Sequence, residues 1–394
     1  MRVALIIEWI DAWRGGAETS TEQFLRHLLR RADVELTVFT RSRPSPTPDM
    51  QVRTMSVRTP ARSQQSRRFA HRAAVAVRET QFDIVHAVSL CPAANVYEPR
   101  GGTVAETVLR NLAIRPPGLR REFKRAANRL NLKQRVMLKL ERQLLAGPRK
   151  PMVIAVSDYV ARQLHQHYQV PPVRIRKVLN GVDPDTADAA ARQHDRTAIR
   201  ELYNIRPTDY LAIMVAHNFR LKGLRRWLEA LKQLSAGTDL PLRSLVIGKD
   251  SSPLWERLVA REGLSARVQF TGPTRRAAAF FHAADLLVHP TYYDPCSRVV
   301  LEAMSAGLPV ITTVHDGASE LIADGVNGFV VHEVGCVQAL ADRVIRLADP
   351  DLRAEMGAQA RRIADRASMA RHADGVYQVY REVIEAGEQH WRTR

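Results

Sequence analysis

The chain has 394 residues, of which 45% are hydrophobic and 25% are charged, and its formal net charge is +18 at pH 7. This length allows two domains of ordinary size, and the composition is typical of a soluble globular protein. The N-terminal apolar run meets Glu8 too early for a signal peptide, and no uninterrupted apolar run approaches the roughly 20 residues that cross a bilayer. Three cysteines without metal-site spacing predict free thiols in a reducing compartment.

The positive charge is concentrated in two segments. Residues 41–80 contain nine arginines and two acidic residues, and residues 110–150 contain thirteen lysines and arginines and two acidic residues. These segments account for the whole excess of positive charge. Such a concentration indicates a polyanionic partner, which can be an anionic membrane leaflet, an anionic lipid-linked glycan or nucleic acid.

The first 40 residues predict a strand, a glycine-rich turn, a helix and a second strand. The apolar run over residues 1–7 has the length of a buried parallel strand, and residues 34–40 predict the next strand. Between them, Gly15 and Gly16 precede an amphipathic helix. Paired glycines let a backbone approach a phosphate or a sugar closely at a helix start, although many such pairs are only turns.

Residues 41–70 contain three closely spaced prolines and predict an irregular surface loop, which is either solvated or bound to a partner. A helix is expected over residues 70–78 and a strand over residues 82–86. The strand ends at His86. A histidine there is either structural or part of a binding cleft, and the residues alone favour neither interpretation.

A long basic tract over residues 110–145 predicts helix. Its apolar residues fall on one stripe, and lysine and arginine cover the remaining faces; the stripe comprises Leu119, Phe123, Ala126, Ala127, Leu130 and Leu132. A basic amphipathic helix of this kind is typical of membrane-surface binding. The alternative is a helical layer that packs on a sheet and leaves a solvated basic face.

The second half repeats the alternation of strands and helices. The apolar residues 210–216 predict a strand, and the loop after it carries Arg220 and Lys222 before a helix over residues 224–234. Two cations between a strand and a helix suggest a clamp for a diphosphate. Further strands are expected over residues 242–248 and 268–273.

The most informative stretch covers residues 289–330. A strand ends at His289, and Ser297 is placed to cap a helix that Gly307 terminates. Asp294 lies in the loop and Glu302 inside the helix. A carboxylate on this apolar helix needs a hydrogen-bonding partner, which sugar hydroxyls could supply, and the amide N–H groups of the helix start suit a phosphate.

This stretch resembles the donor-site signature of the retaining GT-B glycosyltransferases of family 4, also called group 1. The shared features are two acidic residues eight apart and the run E-A-M-S-A-G-L-P-V over residues 302–310. Asp294 stands where the family usually has glutamate, and Arg298 where small apolar residues are usual. The order of motifs in the second half, with the basic tract of the first, is similar to the lipopolysaccharide-core glucosyltransferase branch.

The resemblance implies a set of site residues. Catalytic roles fall to Lys222, Arg220, Asp294 and Glu302. Donor contacts fall to Gly15, Gly16, Gly248, Gly272, Pro273, Cys296, Ser297, Arg298 and Val299. Acceptor or cleft contacts fall to Glu18, His86 and Glu98.

The expected fold is α/β of the GT-B type, with two doubly wound Rossmann-like domains that face a cleft. Residues 1–180 would form the acceptor-binding domain with the basic segments, and residues 181–366 the nucleotide-sugar domain. Residues 367–394 would form a helix that crosses back to the first domain.

The expected function is transfer of a hexose with retention, without a metal ion or other cofactor, from a UDP-linked sugar to a lipid-linked or lipopolysaccharide-type glycan. The expected location is the cytoplasmic face of the cell membrane, bound peripherally through the basic segments, with no nucleic-acid partner. The alternatives are a nucleic-acid or polyanion-binding protein on the same scaffold, and a hydrolase or epimerase of nucleotide sugars.

Overall fold

The structure is a computed structural model, and it describes residues 1–10, 16–42, 50–57, 59, 62–147, 150–250 and 253–392. The chain divides into unit 1, Met1–Gly181 with Ser368–Arg394, and unit 2, Val182–Ala367. Each unit contains one sheet in which every strand pair is parallel. The predicted α/β class with two Rossmann-like domains is therefore confirmed.

Unit 1 contains a seven-stranded sheet. Its strands are β1 (Arg2–Ile6), β2 (Glu35–Thr40), β3 (Met50–Thr54), β4 (Ile84–Ala87), β5 (Val96–Tyr97), β6 (Met152–Ala155) and β7 (Ile175–Lys177). Its helices up to residue 181 are α1 (Gly16–Leu28), α2 (Arg62–Glu79), α3 (Val104–Ala113), α4 (Leu119–Leu130), α5 (Leu132–Ala146) and α6 (Asp158–Tyr168). The strand order is β3-β2-β1-β4-β5-β6-β7, so the sheet changes direction between β1 and β4.

Unit 2 contains a six-stranded sheet in the order β10-β9-β8-β11-β12-β13. The strands are β8 (Tyr210–Val215), β9 (Leu242–Ile247), β10 (Val268–Gly272), β11 (Leu286–Val288), β12 (Val310–Thr313) and β13 (Phe329–Val331). The helices are α7 (Ala189–Leu202), α8 (Leu224–Gly237), α9 (Pro253–Arg261), α10 (Ala277–Ala283), α11 (Arg298–Ser305), α12 (Val337–Arg346) and α13 (Pro350–Arg361). Its central strands are continuous apolar runs because both faces of a parallel sheet are covered.

Two sequence-based predictions for unit 1 were wrong. Residues 41–70 are not one irregular loop, because they include β3 and the first turns of α2. β3 is an edge strand whose side chains are mostly exposed, so it carries no apolar pattern. The basic tract is not continuous either: it is divided among α3, α4 and α5 by Gly118, with φ of 133°, and by Asn131, which caps α5.

The last helix, α14 (Met369–Arg392), supplies part of the core of unit 1. Met369, Val376 and Tyr380 are fully buried in the same apolar cluster as Leu5 and Phe24. The chain therefore returns to unit 1 after completing unit 2, and the core of unit 1 needs residues from both ends of the sequence.

A buried polar network fastens α14 to the sheet. Glu98 lies at its centre and contacts three cations or potential cations: Arg100 at 2.9 Å, His86 at 3.2 Å and His372 at 3.2 Å. His86 Nδ1 lies 2.6 Å from the Tyr380 hydroxyl. Burial alone would raise the pKa of Glu98, but Arg100 and His372 hold that pKa well below its usual range. The Glu98 carboxylate is therefore ionised, and the nearby Arg100 balances its negative charge inside the protein.

Glu98→Ala should lower the free energy of unfolding by about 3–5 kcal/mol, because it leaves Arg100 buried without its counter-charge. The matched control is Glu382→Ala. Glu382 also joins α14 to the sheet, through Arg176 at 2.8 Å, but its side chain is 44% exposed, so its loss should cost less than about 1 kcal/mol. Chemical denaturation of both variants tests this, and equal losses would contradict the anchoring role of Glu98.

Candidate functional site

The strand order of unit 2 brings two sequence-distant loops together. β8 and β11 are neighbours at the point where the sheet changes direction, and ligands of such sheets bind at the carboxyl ends of these strands. The loop after β8 carries Lys222 and the loop after β11 carries Asp294. Lys222 Nζ donates to Asp294 Oδ2 at 2.6 Å and to the Tyr293 carbonyl at 2.9 Å.

Two glycines allow close approaches in unit 2, Gly223 to the loop after β11 and Gly248 to the end of β8. Gly223 has φ of 81°, and a Cβ there would lie 2.0 Å from the Pro290 carbonyl oxygen. Gly248, with φ of 149°, would place a Cβ 1.8 Å from the Ala216 carbonyl oxygen. Any larger residue would push the loops apart. The Lys-Gly pair thus sets both the charge of the β8 loop and its distance from the β11 loop.

The charge of Asp294 is stabilised by its surroundings. Its side chain is 16% exposed and that of Lys222 is 18% exposed. Burial alone would raise the pKa of Asp294, but the Lys222 ammonium and His289, whose Nε2 lies 3.4 Å from Oδ2, hold it well below its usual range. Asp294 is therefore an ionised hydrogen-bond acceptor at neutral pH.

Asp316 is a functional candidate that the sequence analysis missed. It is fully buried, and its Oδ1 accepts the amide N–H groups of Ser297 and Ala318, each at 2.9 Å. Burial, together with the negative charge of Asp294, raises the pKa of Asp316 to about 6. Asp316 follows an apolar strand, so the sequence places it at the carboxyl edge of the sheet, and this position could have identified it as a functional candidate. His289, which follows β11, could have been identified in the same way.

The helix start predicted at Ser297 is confirmed. Ser297 caps α11, and its side chain accepts the Val300 N–H at 3.4 Å. The sequence predicts that the Ser297 amide is available to a phosphate. In the structure, this N–H instead donates a hydrogen bond to Asp316 Oδ1. At the first position of the helix, Arg298 donates to Oε1 of Glu302, one turn further on, at 2.9 Å. Partial burial raises the pKa of Glu302, and the guanidinium of Arg298 opposes that shift.

The other predicted residues of unit 2 lie along the same sheet edge. Arg220 is exposed on the turn before Lys222. The Gly248 N–H donates to the Gly272 carbonyl at 2.9 Å, which joins the ends of β9 and β10. Pro273 is exposed beyond this contact. Cys296 is buried beside the cap of α11 and Val299 is half-buried in its first turn.

The predicted residues of unit 1 do not form a comparable group. Gly15 lies outside the described residues, and Gly16 and Glu18 belong to the first turn of α1. His86 and Glu98 have no exposed surface and belong to the network that holds α14. Their burial favours the structural interpretation over direct contact with an acceptor.

Within the described ranges, no group of three or more histidine, cysteine or acidic side chains is arranged to hold a metal ion. Charged side chains of the β8 loop, the β11 loop and α11 include two pairs of opposite sign, Lys222 with Asp294 and Arg298 with Glu302. This arrangement can bind a polar ligand that offers both anionic groups and hydroxyls.

Two sequence families match the chain. Residues 14–186 match the profile described as Glycosyltransferase Family 4, and residues 195–363 match the profile described as Glycosyl transferases group 1. The first match lies almost entirely in unit 1 and the second lies within unit 2. Together they account for most of the chain.

Curated relatives align with parts of the chain. It is 30% identical over 239 residues to the lipopolysaccharide glucosyltransferase WaaG of Escherichia coli (strain K12), which covers 60% of this chain and 64% of that protein. It is 30% identical over 252 residues to a D-inositol 3-phosphate glycosyltransferase of Rhodococcus erythropolis, which covers 58% of this chain and 55% of that protein. The chain therefore spans less than two thirds of the length of these relatives.

Solved structures share the fold over nearly the full length. A crystal structure of WaaG, a glycosyltransferase involved in lipopolysaccharide biosynthesis, has a TM-score of 0.82 at 23% identity, covering 96% of this chain and 99% of that chain. Anabaena HepE in complex with UDP and glucose has a TM-score of 0.71 at 18% identity, covering 97% and 100%. These similarities confirm the predicted GT-B fold.

Asp316→Asn should make the free energy of unfolding less sensitive to rising pH. The pKa of Asp316 is raised from 3.8 to about 6, so its protonated form stabilises the fold below the ordinary value, and that contribution is lost as pH rises through about 6. Asparagine keeps an acceptor for both amides and stays neutral. Relative to the unsubstituted protein, the variant should gain up to about 3 kcal/mol between about pH 4 and about pH 7, measured by urea unfolding.

The control for this measurement is Asp209→Asn. Arg206 holds the pKa of the buried Asp209 below its ordinary value despite the opposing effect of burial, so that variant should lose stability as pH rises, which is the opposite sign. A gain for Asp316→Asn that is equal at acidic and neutral pH would contradict the titration of Asp316.

Proposed function

Because the chain belongs to the family 4 (group 1) glycosyltransferases, we propose that it transfers a hexose from a nucleotide sugar to a glycan acceptor with retention of configuration. We assign UDP as the nucleotide and a lipid-linked or lipopolysaccharide-type glycan as the acceptor. The reaction proceeds without a metal ion or other cofactor. Unit 2 binds the nucleotide sugar, and unit 1 binds the acceptor.

The ion pair between Lys222 and Asp294 carries this proposal. It places a cation and a hydrogen-bond acceptor 2.6 Å apart where the sheet of unit 2 changes direction. A nucleotide sugar needs both, since its diphosphate is anionic and its sugar presents hydroxyls. A polyanion-binding scaffold would have no need for the carboxylate.

Lys222 supports departure of the leaving group. Negative charge accumulates on the diphosphate as the bond to the sugar breaks, and a fixed ammonium in a partly buried site stabilises that charge strongly. Lys222 contacts Asp294 before the donor binds, so the incoming diphosphate shares or takes over this contact. Arg220, which is exposed on the same turn, adds a second cation for the diphosphate.

Asp294 and Glu302 divide recognition of the sugar and of the ribose. When the diphosphate engages Lys222, the ionised carboxylate of Asp294 becomes available to the hydroxyls of the transferred hexose. Glu302, four residues after Arg298 on α11, accepts hydrogen bonds from the ribose hydroxyls. Aspartate is one methylene shorter than glutamate, so the hexose has to lie closer to the β11 loop.

The bond changes follow from these positions. The bond between the anomeric carbon and the diphosphate oxygen breaks while the acceptor hydroxyl forms a bond on the same face. The departing phosphate oxygen takes the proton of that hydroxyl. No covalent intermediate with the protein is needed.

We further propose that unit 1 binds the cytoplasmic face of the cell membrane through α4 and the residues next to it. Within the described part of the chain, no helix combines the length and the apolar composition of a transmembrane segment. The proposed contact is peripheral, and it would bring the protein to lipid-borne acceptors.

The orientation of α4 supports this proposal. Its apolar residues face solvent: Leu119 is 90% exposed, Phe123 is 79% exposed and Leu130 is 78% exposed, and Leu132 at the start of α5 is 63% exposed. Its less exposed positions are polar, with Asn128 buried and Lys124 half-buried. This is the reverse of a helix that packs on a protein core, and exposed apolar surface of this kind is typical of interaction sites.

The charge of the surrounding surface suits an anionic bilayer. Basic residues interleave with the apolar ones along α4, and α2 of the other basic segment packs against α5. The two segments that the sequence analysis treated separately are thus neighbours in unit 1. Each lysine or arginine near an anionic surface contributes about 1 kcal/mol, in addition to the burial of the apolar side chains.

Lys222→Ala should lower kcat/KM about 100- to 1,000-fold, because the diphosphate loses a fixed cation in the transition state. The assay measures sugar released or transferred from UDP-glucose, with a lipopolysaccharide core oligosaccharide as acceptor and EDTA throughout. Lys232→Ala is the matched control, since Lys232 lies on α8 with a 61% exposed side chain paired with Glu262, and its rate should stay within about twofold.

Three results of this assay would contradict the proposal in different ways. Normal transfer by Lys222→Ala would contradict the role of Lys222 in binding the diphosphate. Loss of all activity in EDTA would contradict the proposal that no metal ion is required. Release of sugar at full rate without an acceptor would identify a hydrolase instead of a transferase.

Substituting Leu119→Ser and Phe123→Ser together should weaken binding to vesicles that contain anionic phosphatidylglycerol by about 10- to 100-fold, because two large apolar side chains no longer enter the bilayer. Co-sedimentation with vesicles measures the binding. The matched control substitutes Val173→Ser and Leu202→Ser, which are 71% and 67% exposed elsewhere on the chain.

The control should bind as the unsubstituted protein does, and vesicles of pure phosphatidylcholine should bind all three proteins weakly. Unchanged binding of the Leu119/Phe123 variant would contradict the proposal that α4 binds the membrane. Salt-sensitive binding to DNA that exceeds binding to the vesicles would favour a nucleic-acid partner.

A further inference from the structure

Arg298 occupies the first position of α11, where the helix itself disfavours a cation. The amide dipoles place partial positive charge at a helix start, and ion pairs four residues apart are more stable when the acid precedes the base. In α11 the order is reversed, because Arg298 precedes Glu302. Helix stability therefore does not account for the arginine.

The burial of the two side chains differs in a consistent way. The Arg298 side chain is 7% exposed and the Glu302 side chain is 29% exposed. A guanidinium that is removed from water to this degree needs a counter-charge, and Glu302 supplies one at 2.9 Å. The carboxylate keeps more contact with the surroundings than its partner does, so it is the member of the pair that a ligand reaches.

The pair also controls the charge state of the carboxylate. Partial burial raises the pKa of Glu302 and Arg298 acts against that shift. Without the arginine, Glu302 would take up a proton at a higher pH. A protonated carboxyl group is a weaker acceptor than a carboxylate, because hydrogen bonds to ionised acceptors are the stronger ones.

We propose that Arg298 is a positioning residue that holds Glu302 as an oriented, ionised acceptor for the two hydroxyls of a nucleotide ribose. The inference rests on the proposed function. The guanidinium occupies Oε1, and Oε2 receives the ribose hydroxyls. Arg298 thereby makes donor affinity depend on the ribose diol, and it does so through Glu302 and without touching the sugar.

Isothermal titration of UDP and of 2′,3′-dideoxy-UDP separates this role from a phosphate contact. The unsubstituted protein should bind UDP about 10- to 100-fold more tightly than the dideoxy ligand. Arg298→Met should lose about tenfold in affinity for UDP and almost nothing for the dideoxy ligand, and the loss should grow as pH falls. Arg298→Lys should restore part of the affinity for UDP, and Glu302→Gln should remove the dependence on pH.

Equal losses of affinity for both ligands would assign Arg298 to the phosphates or to folding and would overturn the proposal. If the unsubstituted protein binds neither UDP nor GDP nor ADP, the proposed function is wrong. A measurement without ligand then tests the interaction between Arg298 and Glu302. In Arg298→Met the partly buried carboxylate becomes harder to ionise, so stability should fall as pH rises above the ordinary pKa of glutamate.

The double variant Arg298→Met/Glu302→Gln should not show this fall, because it has no carboxyl group to ionise. Thermal unfolding of the two variants measures the difference between them. A difference that does not change with pH would show that Arg298 does not keep Glu302 ionised, and it would overturn the proposal whether or not a nucleotide binds.

Discussion

The ion pair between Lys222 and Asp294 is the interaction on which the site of unit 2 depends. Each partner is largely removed from water, and the Lys222 ammonium helps to hold the pKa of Asp294 well below its usual range. The pair holds the loop after β8 against the loop after β11, and Gly223 permits that distance. Asp316 then ties the same turn to the start of α11 through the Ser297 amide. The geometry of the proposed site and the local stability of unit 2 therefore share the same contacts.

The two units treat buried charge in different ways. In unit 1, Glu98 is enclosed by Arg100, His86 and His372; the side chains of Glu98 and the two histidines have no exposed surface, and that of Arg100 is 4% exposed. In unit 2, Asp294 and Glu302 keep 16% and 29% of their side chains exposed. An enclosed network offers no surface to a ligand, whereas a partly exposed pair can exchange a partner for a ligand. This difference in exposure assigns a structural role to Glu98 and supports a binding role for Asp294.

Helix α4 raises the opposite problem, because its apolar side chains are exposed while its buried position is an asparagine. Leu119 and Phe123 pack on no core in unit 1, and the neighbouring surface is strongly basic. Apolar burial and attraction to an anionic surface act together at a lipid interface, which supports the proposal that α4 binds a membrane. The excess positive charge of the chain lies in residues 41–80 and 110–150, which both belong to unit 1.

The sequence by itself determined the alternation of strands and helices, the cap at Ser297 and the acidic pair of Asp294 and Glu302, because apolar periodicity, capping and motif spacing are local properties. It did not reveal β3, whose exposed edge position leaves no apolar pattern, or the breaks of the basic tract at Gly118 and Asn131. Only the tertiary structure decided that Lys222 meets Asp294, that Asp316 supports the turn and that His86 and Glu98 are enclosed. These contacts join residues far apart in the chain, and their energy depends on burial, which no local pattern specifies.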